Sequence, residues 1–585
     1  MKNIKQNIIN PNAAVIIWNY EERTDSDETN QPHDIDTVIA GTSSVISIAT
    51  TKAKSSPAGQ FEIVFAPNAN WISKITPGSW CAILMSRDSS IQPFTSSNPG
   101  EADEKTLKMF GRIHSIRMMV QVDPQTGTRQ TLYIANGEDW SSVFNTTIYV
   151  DPIVRTGNFE TTTAIGHAAR FVYESLLLQW TKDGRILPSP KDALQGIIKL
   201  WGSPIAETEQ SIRSRAREAQ PQTELVTTSS AQFKLPNQVA KFFKFKTDLK
   251  KDSVCFGDLI QIIDGKLESK DKYKPVNDGA GILNPMSIYG TNTFWQLLID
   301  NCNPVINELI TDIRWENNRP VLALYKRIKP FANRERFRNK DHVKDIVSLF
   351  KNIKHVDIPY EEVISIDIGT NWKDKINFIE LKPQQQLNQT NLSAMVKLDS
   401  QTVDLKAIER DGFKPLTQNV NYLIYDNKNS AAPLEVVRWK ALLREWYFNT
   451  HNMLNGALTV VGQNKYIQVG DNIRINAKIF GNANFSKEQS DYNGDTYLLA
   501  HVESVSNNFT IDANGSRSYT TSINFVRGVI VDPNDNVLAG FKPGISGTKA
   551  IDKKASNQNN KDRKNRNTII TPTVSDPNKE PDRGK

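Results

Sequence analysis

Cysteine, histidine and long apolar runs are scarce in this chain, and each scarcity removes a class of function. The three cysteines among 585 residues, Cys81, Cys255 and Cys302, are odd in number, far apart and never spaced as CxxC. That excludes a disulfide framework and a thiolate zinc site, and it suits a reducing cytosol. The seven histidines, His33, His114, His167, His342, His355, His451 and His501, form no HExxH or HxH pair, so metal binding fails on spacing. His114 and His501 fall inside strand patterns, where a packed or surface imidazole is the expectation. No stretch reaches the roughly 20 apolar residues of a membrane-spanning helix. The apolar part of the N-terminal MKNIKQNIINPNAAVIIWNY is too short for a secretory signal. A soluble protein without membrane insertion is expected.

Net positive charge is also nearly absent from the body of the chain. The formal net charge is +7, but residues 541–585 carry 11 Lys and Arg against 5 Asp and Glu, a net +6. A basic nucleic-acid groove is therefore not supported, and the polar run KKASNQNNKDRKNRN reads as a solvated tail without core-forming pattern.

What is present is β pattern, twice. AVIIWNY, VISIAT, QFEIVFAP, SWCAILMS, MFGRIHSIRMMVQV and RQTLYIAN are short β-branched or aromatic runs between Gly, Pro, Asn, Asp and Ser clusters. So many strand edges need closure or stacking, hence an antiparallel barrel or sandwich. From Thr161 the period turns helical, with Ile165, Ala168, Ala169, Val172 and Leu176 on one face, and residues 160–250 read as a helical insertion. TNTFWQLLIDNCNP reads as a helix stopped by Asn303 and Pro304. VINELITDIRWENNRPVLALYKRIKPF reads as a hairpin about Glu316–Arg319. A short helix in DHVKDIVSLFKNI and strands in EEVISIDIG and KINFIEL follow. PLEVVRWKALLREWYFNT is the best amphipathic helix, with Val436, Trp439, Leu442, Leu443 and Trp446 on one face and Glu435, Arg438, Lys440, Arg444 and Glu445 on the other. It runs into a second β block, GALTVVG, YIQVGDNIRI, TYLLAHVESVSNNFTI and SYTTSINFVRGVIV, with hairpin turns expected at Asn493-Gly494 and Asn514-Gly515.

Motifs for chemistry fail one by one. In VVGQNKYIQVGDNIRI, Gly470 leads into Asp471 and another strand, not into the lysine, hydroxyl and helix of a phosphate loop. A barrel corner is expected there, with Gly taking positive φ and Asp bonding its own downstream amide. Asp25, Asp27 and Asp36 in DSDETNQPHDID lack the mid-loop Gly and closing Glu of a calcium loop. No GxSxG elbow is present. Paired carboxylates cannot be read from spacing among 64 acidic residues, and none stands in a distinctive setting. No catalytic, cofactor or metal residue is assigned, and the expectation is an assembly component, not an enzyme.

The order of the later motifs resembles the baseplate hub proteins of contractile-tailed bacteriophages, the late-control D-protein type, related to the N-terminal part of type VI secretion spike proteins. NELITDIRWENNRPVLALYKRIKPF carries Asn307, Glu308, Asp312, Arg327, Pro330 and Phe331 of that pattern. AIERDGFKPL, Ala407 to Leu416, is similar to an orienting turn of the family. RWKALLREWYFNTHNMLNGALTVVGQNKYIQVGDNIRI resembles its tryptophan-bearing helix, Gly strand and Val-Gly-Asp turn. VESVSNNFTIDANGSRSYTTSINFVRG looks like its closing hairpin, ending at Arg527 and Gly528. These cover about residues 290–530; GQFEIVFAPNANW and MFGRIHSIRM look like the family's first barrel.

The resemblance implies a β-rich α+β chain with two antiparallel β-barrel domains and helical insertions, assembling as a ring. The domains expected are a first barrel at 1–155, a helical insertion at 156–250, a mixed region at 251–430 giving strands to the second barrel, a helix plus second barrel at 431–535, and a basic tail at 536–585. It implies a homotrimer, without catalysis, that joins a sixfold tail tube to a threefold central spike and lines the DNA channel without binding DNA specifically. Tube, spike and other baseplate proteins are its implied partners, and tryptophan-rich faces would serve subunit contacts. Its place would be the virion tail, assembled in the host cytoplasm. A tail-associated peptidoglycan hydrolase is the alternative.

Overall fold

The computed structural model describes residues 10–19, 37–88, 101–122, 129–145, short pieces within 234–264, most of 293–329, 353–383, 403–420 and most of 443–539. Several expected features lie outside the described residues: most of the helical insertion 156–250, the acidic loop 25–36, the helix at 341–352, Pro330, Phe331, the start of the amphipathic helix and the basic tail past 539.

Every strand run expected before residue 140 is a strand, with one short addition, β2. These are β1 (Asn12–Trp18), β2 (Thr37–Ala40), β3 (Val45–Ala53), β4 (Gln60–Phe65), β5 (Trp80–Ser86), β6 (Leu107–Val122) and β7 (Arg129–Asp139). β8 (Lys234–Leu235) pairs with β9 (Val254–Cys255). A three-stranded sheet sets β12 (Arg319–Ile328) between β10 (Ile260–Asp264) and β11 (Asn307–Glu316), and Glu316 faces Arg319 at the expected turn. Next come β13 (His355–Ile358), β14 (Val363–Gly369) and β15 (Phe378–Pro383), the last paired in parallel with β16 (Pro415–Val420). The second β block is β17 (Leu454–Val461), β18 (Asn472–Asn476), β19 (Tyr497–Ile511), β20 (Arg517–Val531) and β21 (Val537–Ala539).

Among the described residues, fourteen strands form one β sheet in the order β14-β17-β20-β19-β3-β4-β7-β6-β5-β1-β2, with β13, β18 and β21 off this path. That sheet contains one pattern twice. In chain order β3, β4, β5, β6, β7 and β14, β17, β18, β19, β20 make the same antiparallel ladder: first with second, second with fifth, fifth with fourth, fourth with third.

The correspondence holds residue by residue. Val-Ile-Ser-Ile occurs at Val45–Ile48 and again at Val363–Ile366, each after a three-residue 3-10 turn, and the register slips after the first residue in both. β6 bulges between Ile113 and Ser115, and β19 between Val502 and Ser504. Gly78 and Gly470 both have left-handed φ, +93° and +85°. Gly78 N–H donates to Ile113 O as Gly470 N–H does to Val502 O. Even a glycine cover is kept with its roles exchanged. The Phe61 ring lies over Gly137 across the strand pair, and at the matching pair Phe525 lies over Gly456.

The two units pack different cores. Ile48, Phe61, Ile63, Phe65 and Ile83 fill the first, while Leu458, Val460, Ile473, Val502, Ile523 and Phe525 fill the second. β1 and β5 are buried on both faces, because alternate residues of each face that first core and a further core built with β11 and β12. This accounts for their unbroken apolar runs.

Three expectations change. Asn493-Gly494 is not a hairpin turn. It sits in the 477–496 connection with the short helix Lys487–Ser490, and Gly494 lacks the left-handed φ a two-residue turn needs. Asn514-Gly515 does cap the β19–β20 hairpin, with Gly515 at φ +78° and Asp512 accepting from the Asn514 and Ser516 amides. The tryptophans mostly build core instead of surface: Trp18, Trp71, Trp80, Trp140, Trp295 and Trp446 are buried, since no other side chain removes as much apolar area from water. Arg444, expected on the solvent face of its helix, is buried with its guanidinium over Phe448.

Candidate functional site

The hairpin that carries the family-like residues is a fastener between the two units. Asn307 donates through Nδ2 to Cys302 O at 2.7 Å, closing the loop behind the helix Phe294–Asn301. Glu308 takes Arg327 Nε at 2.5 Å on one oxygen and Lys54 Nζ at 2.6 Å on the other. Lys54 follows β3 of the first unit, whereas Arg327 also donates to Gly470 O, in the second, at 2.7 Å. Burial alone would raise the Glu308 carboxyl, but Arg327 and Lys54 outweigh it and hold that carboxyl below the ordinary range.

Asp312 accepts the Tyr466 hydroxyl at 2.7 Å and the Val469 amide at 3.1 Å. Its neighbour Thr311 donates to Pro57 O at 2.7 Å and receives Lys52 Nζ at 3.1 Å. Burial raises the Asp312 carboxyl despite the pull of Lys52 and these donors, and it raises Tyr466 as well. The Gly470-Asp471 corner is as expected in its backbone. Asp471 spends its carboxylate on Arg314 at 3.3 Å, however, and burial raises its pKa.

One corner of this seam has the outline of a nucleophile site. Lys52 Nζ lies 2.5 Å from Asp139 and 2.8 Å from Ser141 Oγ. Ser141 is fully buried, and its hydroxyl is taken up by Pro57 O and Asp139. The hydroxyl is buried and committed to these acceptors, so the arrangement ties β3, the loop at Pro57 and the end of β7 together.

Other family-like residues lie in turns and packing contacts. Ala407–Leu416 spans the end of the helix Leu405–Asp411, its Gly412 stop at φ +77° and the entry to β16. Trp446 lies under the Arg527 guanidinium at 3.2 Å. Arg527 is itself left-handed at φ +57°, its amide bonded to Asn455 Oδ1, and burial lowers its pKa to about 10. His501 is buried and His114 exposed; Cys81 and Cys302 are buried. Among the described residues no three His, Cys, Asp or Glu side chains meet to hold a metal.

The two units differ in how their strand edges are paired. β19 extends past its bulge to pair with β3, from Ser504 opposite Ala53 to Thr510 opposite Ser47. That is how the two units join. The counterpart of this part of β19 is the outer half of β6, residues 113–122, and the counterpart of β3 is β14. Among the described residues, that half of β6 pairs only with β7, and β14 only with β17. Met118, Val120 and Val122 on that half are 52%, 54% and 56% exposed.

No protein-family model and no curated protein matches the chain. Solved structures do. A tail protein from Neisseria meningitidis MC58 matches 88% of this chain and 96% of its own, at 10% identity and a TM-score of 0.34. The 43 kDa tail protein of prophage MuSo2 from Shewanella oneidensis matches 88% and 98%, at 11% identity and a TM-score of 0.37. A Francisella PdpA–VgrG complex in a lidded form matches 89% of this chain and 53% of its own, at 9% identity and a TM-score of 0.33.

Reading the sequence alone missed the seam partners Lys52, Lys54, Asp139 and Tyr466, which have no local signature. Two similar barrels were implied by the resemblance, but the residue-by-residue correspondence between them was not read. The repeated Val-Ile-Ser-Ile was the signal that would have found it.

Proposed function

We propose that this chain is the structural hub of a phage-type tail baseplate, a homotrimer that adapts a sixfold tail tube to a threefold central spike and lines the DNA channel. The observation that carries the reading is the internal repeat: a chain with two equivalent five-stranded units presents six equivalent positions when three copies form a ring. The family-like order of Asn307, Glu308, Asp312, Arg327, Trp446 and Arg527 supports it, and of these Glu308, Asp312 and Arg327 lie in the seam that fixes the two units to one another. The near-neutral body suits a channel through which DNA passes without being held. Its role is structural, not catalytic, in the virion tail, after assembly in the host cytoplasm. Tube, spike and other baseplate proteins are the partners, and the basic tail past residue 540 docks on one of them.

Negative-stain imaging with mass measurement of the purified chain, alone and with tube protein, tests this. Three-chain rings with six similar lobes are expected. Assemblies of another stoichiometry, or clearing of a peptidoglycan gel that one Asp or Glu substitution abolishes, would overturn it. Truncation after residue 540 is expected to leave the ring and weaken partner binding; unchanged partner binding would remove the docking role.

A further inference from the structure

We propose that Asn493 is a spontaneous modification site, where the Gly494 amide closes on the side-chain carboxamide and converts it, through a succinimide, to aspartate and isoaspartate. The inference goes beyond the hub reading and does not depend on it.

The sequence holds four Asn-Gly pairs, at Asn136, Asn455, Asn493 and Asn514. Glycine has no side chain to hinder attack by its own amide, so all four share the same intrinsic chemistry. The fold treats them differently. Asn136-Gly137 lies in β7, between β4 and β6, and Asn455-Gly456 lies in β17, between β14 and β20. In a strand the side chain stands off the sheet while the next amide lies in its plane. The nitrogen cannot turn onto the carboxamide carbon without breaking the ladder. Asn455 is held further by its Oδ1, which accepts the Arg527 amide at 3.0 Å. Asn514-Gly515 is exposed in its hairpin turn, but the Gly515 amide donates to Asp512 O at 2.9 Å.

Asn493 has none of these restraints. It and Gly494 are exposed, in a part of the 477–496 connection that is neither strand nor helix. Among the described residues, nothing accepts the Gly494 amide or bonds the Asn493 carboxamide. Glycine is required at 494, because a Cβ there would stand 2.6 Å from the Tyr492 ring. The reacting groups are chain neighbours, so closure of the five-membered ring is favoured by proximity.

Hydroxide removes the Gly494 amide proton, and the nitrogen attacks Cγ of Asn493. The N–Cγ bond forms, the Cγ–Nδ2 bond breaks, and Nδ2 leaves as ammonia with a proton from water. Water then opens the ring at either carbonyl, giving a carboxylate on the normal backbone or a backbone that runs through Cβ. Both products set a new negative charge between Asp491 and Asp495. Asp495 pairs with Lys478 at 3.2 Å, the Ala477 amide donates to Thr496 O at 2.8 Å, and the Ser486 hydroxyl donates to Leu538 O. The connection that these contacts hold against β21 therefore carries the change, and the isoaspartyl form lengthens it by one backbone carbon.

The test is storage of the purified full-length chain in mildly alkaline buffer, native and in urea. Peptide mass spectrometry reads the exchange of NH for O, and an isoaspartate-specific methyltransferase reads the second product. An ordinary hydrogen bond on the Gly515 amide slows attack by about tenfold, so native Asn493 is expected to convert about tenfold faster than Asn514, with Asn136 and Asn455 slower still. In urea all four should convert at similar rates. Asn493→Gln should remove the native signal at 493 and leave the other three unchanged. Conversion at Asn514 ahead of Asn493, equal native rates at all four sites, no conversion at 493, or the same preference for Asn493 in urea would each overturn the proposal.

Discussion

Arg327→Met removes the central cation of the fastener. Arg327 is 2% exposed and serves two acceptors, Glu308 at 2.5 Å and Gly470 O at 2.7 Å. Removing one partner of a buried pair costs roughly 3–5 kcal/mol, because the other charge stays desolvated. Glu308 keeps Lys54 at 2.6 Å, which puts the loss near the low end, about 3 kcal/mol. The effect is local to β11 and β12, so hydrogen exchange of peptides within 307–328 is the assay. At about 1.4 kcal/mol per tenfold, protection should fall by roughly 100-fold. Arg327→Met with Glu308→Leu should recover much of it, since no bare carboxylate remains. The wild type also has a defined acid limit. The folded-state Glu308 carboxyl is depressed, so its contribution is present at neutral pH and lost as pH falls through that depressed value. A protection loss under tenfold, or a double variant as damaged as the sum of its parts, would refute the argument.

Three further outcomes follow from single sites. Lys108 is buried, donating to Lys105 O and Gln463 O, and burial lowers its pKa from 10.5 to about 7 against the pull of Asp103 and Glu104. Between those values the unfolded chain binds the extra proton, so this group makes stability rise with pH. Urea midpoints at pH 7 and 9 should show that slope reduced by about 1 kcal/mol per pH unit in Lys108→Met. Gly470→Ala forces a Cβ into left-handed backbone against Ile310, and should cost about 1–3 kcal/mol by the same titration, whereas Gly41→Ala, in open space, should cost little. Gly137→Ala and Gly456→Ala each drive a methyl into a cross-strand carbonyl and the Phe61 or Phe525 ring. Both should lower the melting temperature, and equal tolerance to that of Gly41→Ala would sink the repeat-based explanation.

The strands were legible because their alternation and bounding turns are local. The hairpin about Glu316–Arg319 was legible because its two runs lie within one short window. The joining of the units was not: Thr51 and Ser506 are 455 residues apart, and nothing near either one announces the other. The repeat was half hidden, since Val-Ile-Ser-Ile survives letter for letter while Gly137 and Phe525 fill one position by opposite means. The seam was illegible for a different reason. Lys52, Asp139 and Tyr466 look like ordinary surface and strand residues until three separate segments bring them into one buried network.

Beside Ile48, Val505 and Phe509, the joint inside the chain carries Thr50, Thr51, Ser506 and Asn507, residues with small appetite for burial. Its two halves are tethered, so they meet at a high effective concentration and need little apolar surface to stay together. The matching strand positions in β6 and β14 carry methionine, valine and isoleucine instead. The tether is what lets Thr50 and Asn507 occupy buried places in the joint within the chain, since tethered strands keep their partner at hand without a large apolar contact to hold it.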